Sequence, residues 1–195
     1  IYGMLYQPKA KKKRRFSAVY DWLGTLIVSI IAVIIIFTFF FRIVVVDGSS
    51  MMDTLQHRDV LVMRQFNYKP EVGDIVIISR NYENDVLYQE TSAKSVIIKR
   101  IIAVGGQTVD IDTEAGIVYV DGEAIDEPYI KDPTTVNRGT EYPLYVEEGK
   151  VFVMGDNRLV SLDSRSSEVG LIDSKYILGK AIIRLFPISK VGSIY

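Results

Sequence analysis

Cysteine is absent from the 195 residues, and histidine occurs once, at His57. Such a chain has no disulfide scaffold, iron–sulfur cluster, zinc ribbon or thiol nucleophile, and a multi-histidine metal site is excluded. No metal and no cofactor are expected. Extreme composition is missing as well. With 24% charged and 48% hydrophobic residues the chain is not disordered, and its length suits about one ordinary domain. Net charge is nearly absent at −1, yet mean hydropathy is +0.17, high for a soluble domain with that share of charge. Something apolar is therefore concentrated in one place.

Charge is missing altogether between Asp21 and Arg42, where the run Trp22 to Phe41 consists mostly of Leu, Ile, Val and Phe. As a helix rising ~1.5 Å per residue this run covers ~30 Å, the thickness of a bilayer's hydrocarbon core. It has no polar face, which argues against a buried helix of a globular core. A removable secretory peptide would have an apolar core of ~7–15 residues followed by small ones, whereas Phe39, Phe40, Phe41 and Arg42 close this run. Residues 22–41 therefore read as a transmembrane signal-anchor, with the lipid bilayer as a partner. Lys9, Lys11, Lys12, Lys13, Arg14 and Arg15 precede it with no acid before Asp21. A basic cluster beside a spanning helix is retained on the cytoplasmic side, so residues 1–21 are expected inside and 42–195 outside. That outer part carries 17 Lys and Arg against 23 Asp and Glu, an acidic balance that points away from nucleic acid as partner.

Long 3.6-periodic segments are also missing from residues 42–195. Instead there are β-rich runs at Ile43 to Val46, Asp74 to Ser79, Ser95 to Val104 and Val151 to Met154. Asp121-Gly122 sits between apolar stretches in Ile117 to Ile125, a type I′ hairpin signal. Asn81 to Lys94 and Asp132 to Gly149 read as loops. The pattern predicts a mainly β, barrel-like or sandwich-like domain and not an α/β fold.

Three segments hold more polar detail than packing requires. In Val46 to Leu55 lies Gly48-Ser49-Ser50, either a Ser-rich turn or a site; Ser50 is within ~30 Å of extended chain from the membrane. In SVIIKRIIAV, alternation puts Ile97, Lys99 and Ile101 on one face and Ile98, Arg100 and Ile102 on the other. Lys99 either snorkels to solvent or is buried, in which case desolvation brings its amine toward the range of a general base. Gly155 to Arg165 packs Asp156, Asn157, Arg158, Ser161, Asp163, Ser164 and Arg165 together, as a charged loop or as a hydrogen-bonded network. His57 lies in the polar stretch Gln56 to Asp59 and reads as a surface loop residue.

Taken together, the segments Gly48 to Leu55, Gly73-Asp74-Ile75-Val76, Lys99-Arg100-Ile101-Ile102, Val118 to Gly122, Asp126 to Tyr129 and the whole of Gly155 to Arg165 resemble type I signal peptidases of the short bacterial kind. The resemblance implies an extracytoplasmic catalytic domain of the signal peptidase type behind the anchor, on the extracellular face of a single-pass protein of the cell membrane. It implies a Ser/Lys peptidase in which Ser50 is the nucleophile and Lys99 the general base. Ser161 matches the hydroxyl that orients the lysine, and Asp156, Asp163 and Arg165 match groups that hold the site in shape. The Ser50 backbone N–H is the expected oxyanion donor. Where some relatives carry a serine two residues before the nucleophile, this chain has Gly48. The implied substrates are secretory preproteins cut after a small-x-small sequence, paired as an extended strand near Ile43 to Val46.

Two departures stand out. Asp53 replaces the family's usual proline, and Ala103-Val104-Gly105-Gly106-Gln107 replaces Gly-x-Pro-Gly-Asp, in turns expected beside the site. They keep open a second expectation, an accessory protein or chaperone for pilin or other surface-protein precursors that cleaves little or nothing. An autocleaving repressor of similar Ser/Lys chemistry is disfavoured by the anchor.

Overall fold

A computed structural model describes residues 17–79 and 96–195, with side chains from residue 19 onward. The basic cluster Lys9 to Arg15 and the loop expected over Asn81 to Lys94 lie outside the described residues. The chain divides into two units, Ile1–Thr38 and Phe39–Tyr195.

Helix α1 runs Ser17–Phe40, and within it Val19–Phe40 is long and apolar enough to cross a membrane. Its described side chains from Val19 to Phe39 are exposed, which suits a helix whose solvent is lipid. The few hydroxyls in the run are internally satisfied. Thr25 Oγ1 donates to the Asp21 carbonyl at 3.0 Å, Ser29 Oγ to Thr25 at 2.8 Å and Thr38 Oγ1 to Ile34 at 2.7 Å. The helix stops one residue short of the expected Phe41. That residue opens a strand because it pairs with Arg64 across a ladder that the β-branched run after it continues.

The second unit is mainly β, as expected. Strands β1 (Phe41–Val45), β2 (Val60–Arg64), β3 (Ile75–Ser79), β4 (Val96–Val104), β9 (Lys150–Met154), β10 (Ile172–Asp173), β11 (Ile177–Phe186) and β12 (Gly192–Ser193) form one antiparallel sheet. Its order is β1-β2-β11-β3-β4-β9-β10, with β12 on β11, so β1 is an edge strand. A smaller sheet runs β7-β6-β5-β8, from β5 (Thr108–Asp112), β6 (Ile117–Val120), β7 (Glu123–Ala124) and β8 (Leu144–Tyr145). The β6–β7 turn is the hairpin foreseen at Asp121-Gly122, with φ of 53° and 82° at its two residues. Among the described residues the strands form two packed sheets, neither of whose strand orders closes on itself.

Both faces of the large sheet are buried around β3. Ile75 and Ile77 join Met51, Leu55, Leu61, Met63 and Ile98 in one cluster, while Val76 and Ile78 join Ile101, Val151 and Val153 in another. That two-sided burial explains why Asp74 to Ser79 reads as an unbroken apolar run instead of an alternating one. A third cluster, with Ile102, Ala103, Val109, Val118, Val120, Phe152 and Met154, fastens the small sheet to the ends of β4 and β9.

Candidate active site

The segment between β1 and β2 is a loop closed at its base. Val46 N–H donates to the Asp59 carbonyl at 2.8 Å and Arg58 N–H to the Val46 carbonyl at 2.9 Å. Buried Met51 and Leu55 anchor it from inside, and Leu55 N–H reaches the Met51 carbonyl at 2.8 Å. With buried Val46 before them and buried Met51 after them, Gly48, Ser49 and Ser50 are left half exposed above the core. Gly48 has φ of 119°, a conformation that a residue with a Cβ rarely adopts.

Lys99, in the middle of β4, is 3% exposed, so the snorkelling alternative does not hold. Its Nζ donates to Ser161 Oγ at 2.9 Å. Ser161 belongs to the segment after β9, which is buried almost throughout although it is rich in charge: Asp156, Arg158, Ser161, Asp163, Ser164 and Arg165 are all inaccessible. Such a segment is tolerable only if each polar atom has a partner. Asp163 accepts Arg165 Nε at 2.8 Å and Nη2 at 2.9 Å, and also the Gly155 N–H at 3.0 Å. Burial by itself would raise the Asp163 carboxyl, but the Arg165 guanidinium and the Gly155 N–H hold it below its ordinary value. Asp156 is gripped by Arg100, Nε to Oδ1 at 2.8 Å and Nη2 to Oδ2 at 2.7 Å, and the Arg100 guanidinium lies 3.8 Å over the Tyr129 ring.

The same segment grips the Ser50 loop. Asn157 N–H donates to the Ser50 carbonyl at 3.0 Å and its Nδ2 to the Ser49 carbonyl at 3.1 Å. At Gly155 a Cβ would collide with the Ser50 carbonyl and with Ser161 Oγ at once. Glycine here is a requirement of close approach: it lets the loop bearing Ser50 and the hydroxyl bound to Lys99 meet at one backbone position. A family model described as signal peptidase, peptidase S26, matches residues 19–186.

The chain belongs to that family.

It is 33% identical to a signal peptidase I of Bacillus licheniformis over 93% of this chain and 96% of that protein. A probable signal peptidase I-1 of Synechocystis is 37% identical over 76% of this chain and 73% of its own length. A solved signal peptidase I from Enterococcus faecalis overlaps 58% of this chain and 97% of that one, with a TM-score of 0.43 at 24% identity.

In this signal peptidase family member, Ser50, Lys99, Ser161, Asp156, Asp163 and Arg165 all converge on the Gly155 segment. His57 is half exposed, as expected for a surface loop residue; its Nδ1 lies 3.4 Å from Asp47 Oδ1 and accepts the Gly48 N–H at 3.4 Å. Asp53 is exposed on the loop surface. The Ala103 to Gln107 turn is well tied, with Gln107 Oε1 accepting the Val104 N–H at 3.0 Å and Nε2 donating to Asp121 at 3.1 Å.

Several members of the site escaped the sequence reading. Thr54 donates its hydroxyl to Asp156. Arg158 donates Nε to the Gly155 carbonyl at 3.1 Å, Nη1 to Thr134 Oγ1 at 2.6 Å, and pairs with Glu127, so the stretch between β7 and β8 braces the Gly155 segment. The one sequence signal for this was the family-like run Asp126 to Tyr129.

Proposed function

We propose that this membrane-associated serine peptidase removes signal peptides from secretory preproteins with Ser50 as nucleophile and Lys99 as general base. The observation that carries the assignment is Lys99 Nζ on Ser161 Oγ, within a segment whose Gly155 and Asn157 meet the Ser50 backbone. Burial favours the neutral amine over ammonium, and a neutral amine can take the Ser50 proton as Oγ attacks the scissile carbonyl. The negative oxygen of the tetrahedral intermediate faces the Ser50 N–H. On collapse the C–N bond breaks and the lysine ammonium protonates the leaving amine. Water, deprotonated by the same lysine, then attacks the acyl-enzyme, and as the ester bond to Ser50 breaks the lysine ammonium returns the proton to Ser50 Oγ. Ser161 orients the amine, while Asp156, Asp163 and Arg165 keep the segment in shape.

Residues 1–21 form the cytoplasmic N-terminus, 22–41 the single-pass anchor and 42–195 the extracellular peptidase domain in this reading. An extended substrate pairs along β1, which ends the strand order of the large sheet among the described residues, and cleavage follows a small-x-small motif. A clientele restricted to pilin or other surface-protein precursors is the narrower form of the proposal, suggested by Asp53 and the Ala103 to Gln107 turn. The accessory, non-cleaving alternative is not favoured, since the chain keeps both Ser50 and Lys99 and its relatives are named signal peptidases.

The test is cleavage of preproteins with Ala-x-Ala sites by the full chain in detergent or lipid, beside Ser50→Ala and Lys99→Ala. Cutting by the wild type alone is the expected result. Cutting by either variant at the wild-type rate rejects that residue's role, and a panel that includes a pilin precursor measures the breadth of the clientele.

A further inference from the structure

We propose that Arg184 is a positioning residue for the peptidase reaction, holding the turn that carries Ser50 through Thr54 and Asp59. Arg184 stands in β11, far from every family-like motif in sequence. Its side chain is 12% exposed and its Nη2 donates to the carbonyl of Thr54. Its Nε lies 3.1 Å from Asp59 Oδ2, an ion pair without the geometry of a hydrogen bond, and Asp59, itself buried, accepts the Gln56 N–H at 3.0 Å through the same oxygen. The pair therefore holds the backbone on both sides of Leu55, by the carbonyl before it and the N–H after it. Leu55 N–H in turn closes on the carbonyl of Met51, the neighbour of Ser50. From its other end Thr54 gives its hydroxyl to Asp156, next to Gly155. One residue of the nucleophile loop is thus clamped by two elements that do not otherwise share it: β11 through Arg184, and the catalytic segment through Asp156.

A buried ion pair is a weak source of net stability, because desolvation offsets most of the attraction. What this pair does provide is a fixed position for two backbone atoms, and in a peptidase a displacement of ~1 Å at the nucleophile costs on the order of 100-fold in rate. Arg184 touches no reacting atom. Its effect belongs in kcat and not in substrate binding.

The inference rests on the assignment of Ser50, and the experiment separates the two. The full chain in detergent is assayed as wild type, Ser50→Ala, Arg184→Gln, Arg184→Lys, Thr54→Val and the Thr54→Val/Arg184→Gln pair, with rates expressed per folded molecule. Arg184→Gln is expected to lower kcat by ~10- to 100-fold with KM unchanged, and Arg184→Lys to recover part of the loss. The double variant should lose less than the product of the single losses, because both residues act on one turn. Should Arg184→Gln fail to fold, Arg184→Lys and Asp59→Asn make the same comparison. A lower melting temperature with wild-type kcat in Arg184→Gln, or losses that simply multiply, overturns the positioning role. An inactive Ser50→Ala beside a fully active Arg184→Gln rejects this inference alone, whereas an active Ser50→Ala rejects the nucleophile assignment.

Discussion

The two segments that meet at the site are built on opposite plans. The Ser50 loop is anchored by apolar side chains, Met51 and Leu55, and shows most of its polar residues to solvent, Asp59 excepted; Gly155 to Arg165 buries nearly all of its charge. The nucleophile proposed at Ser50 must be reachable, so the loop leaves Gly48 to Ser50 half-buried, and its rigidity is supplied from outside by Asn157, Asp156 and Arg184. The Gly155 to Arg165 segment is rigid because each buried charge has a partner: Arg165 with Asp163 inside it, and Arg158 with Glu127 and Asp156 with Arg100 from neighbouring elements. The scaffold is made in the dry segment and lent to the wet one.

The contrast can be broken most severely where the segments touch. Gly155→Ala puts a methyl group into the Ser50 carbonyl and Ser161 Oγ, and is expected to cut the cleavage rate by ~100-fold or more while circular dichroism still reports a β fold. Retained activity would show that the approach is looser than drawn. Asp163→Asn comes next, since it leaves buried Arg165 without its counter-charge. A loss of ~3–5 kcal/mol in urea unfolding at neutral pH is expected.

That loss also depends on pH with a definite sign. The Asp163 carboxyl is held below its ordinary 3.8 in the folded protein. Its contribution is therefore complete above the unfolded value and disappears as pH falls through the folded one. Wild type should lose stability on acidification below ~4, and the gap to Asp163→Asn should narrow over that window. A gap that stays constant from neutral pH to ~3 would sink this assignment.

Smaller effects sharpen the comparison from the exposed side. Asn157→Ala removes the amide hold on the Ser49 carbonyl, expected to cost ~1 kcal/mol of stability together with a several-fold fall in kcat. A change in KM alone would instead assign Asn157 to substrate. Val160→Ser, at an exposed position inside the buried segment, should move unfolding by no more than ~0.5 kcal/mol. A larger loss would mean that even the tip of the segment is part of the scaffold.

Much of this could be read without coordinates. An uncharged run from Trp22 to Phe41 is long enough to specify by itself a helix of membrane-crossing length, because length and solvent preference are local properties. Asp121-Gly122 specifies its turn for the same reason: the φ values it needs are intrinsic to those residue types. Lys99 was different. Alternation put it among isoleucines but left burial and snorkelling equally open, and only the Gly155 segment, with Ser161 against it, decided for burial. Pairings such as Glu127 with Arg158, or Arg184 with Thr54 across 130 positions, leave no local signal, since neither partner's neighbours depend on the other.

By itself the sequence determined a helix long and apolar enough to cross a membrane, the β character of the rest and the residue types of the proposed serine–lysine chemistry, all set by hydrophobicity, backbone preference and side-chain reactivity over short stretches. Tertiary structure alone decided which charges lost their water, which carboxylate each arginine met, and how closely Ser50 and Ser161 approach at Gly155. Those outcomes depend on desolvation and on contacts between distant segments, which exist only once the two sheets have packed.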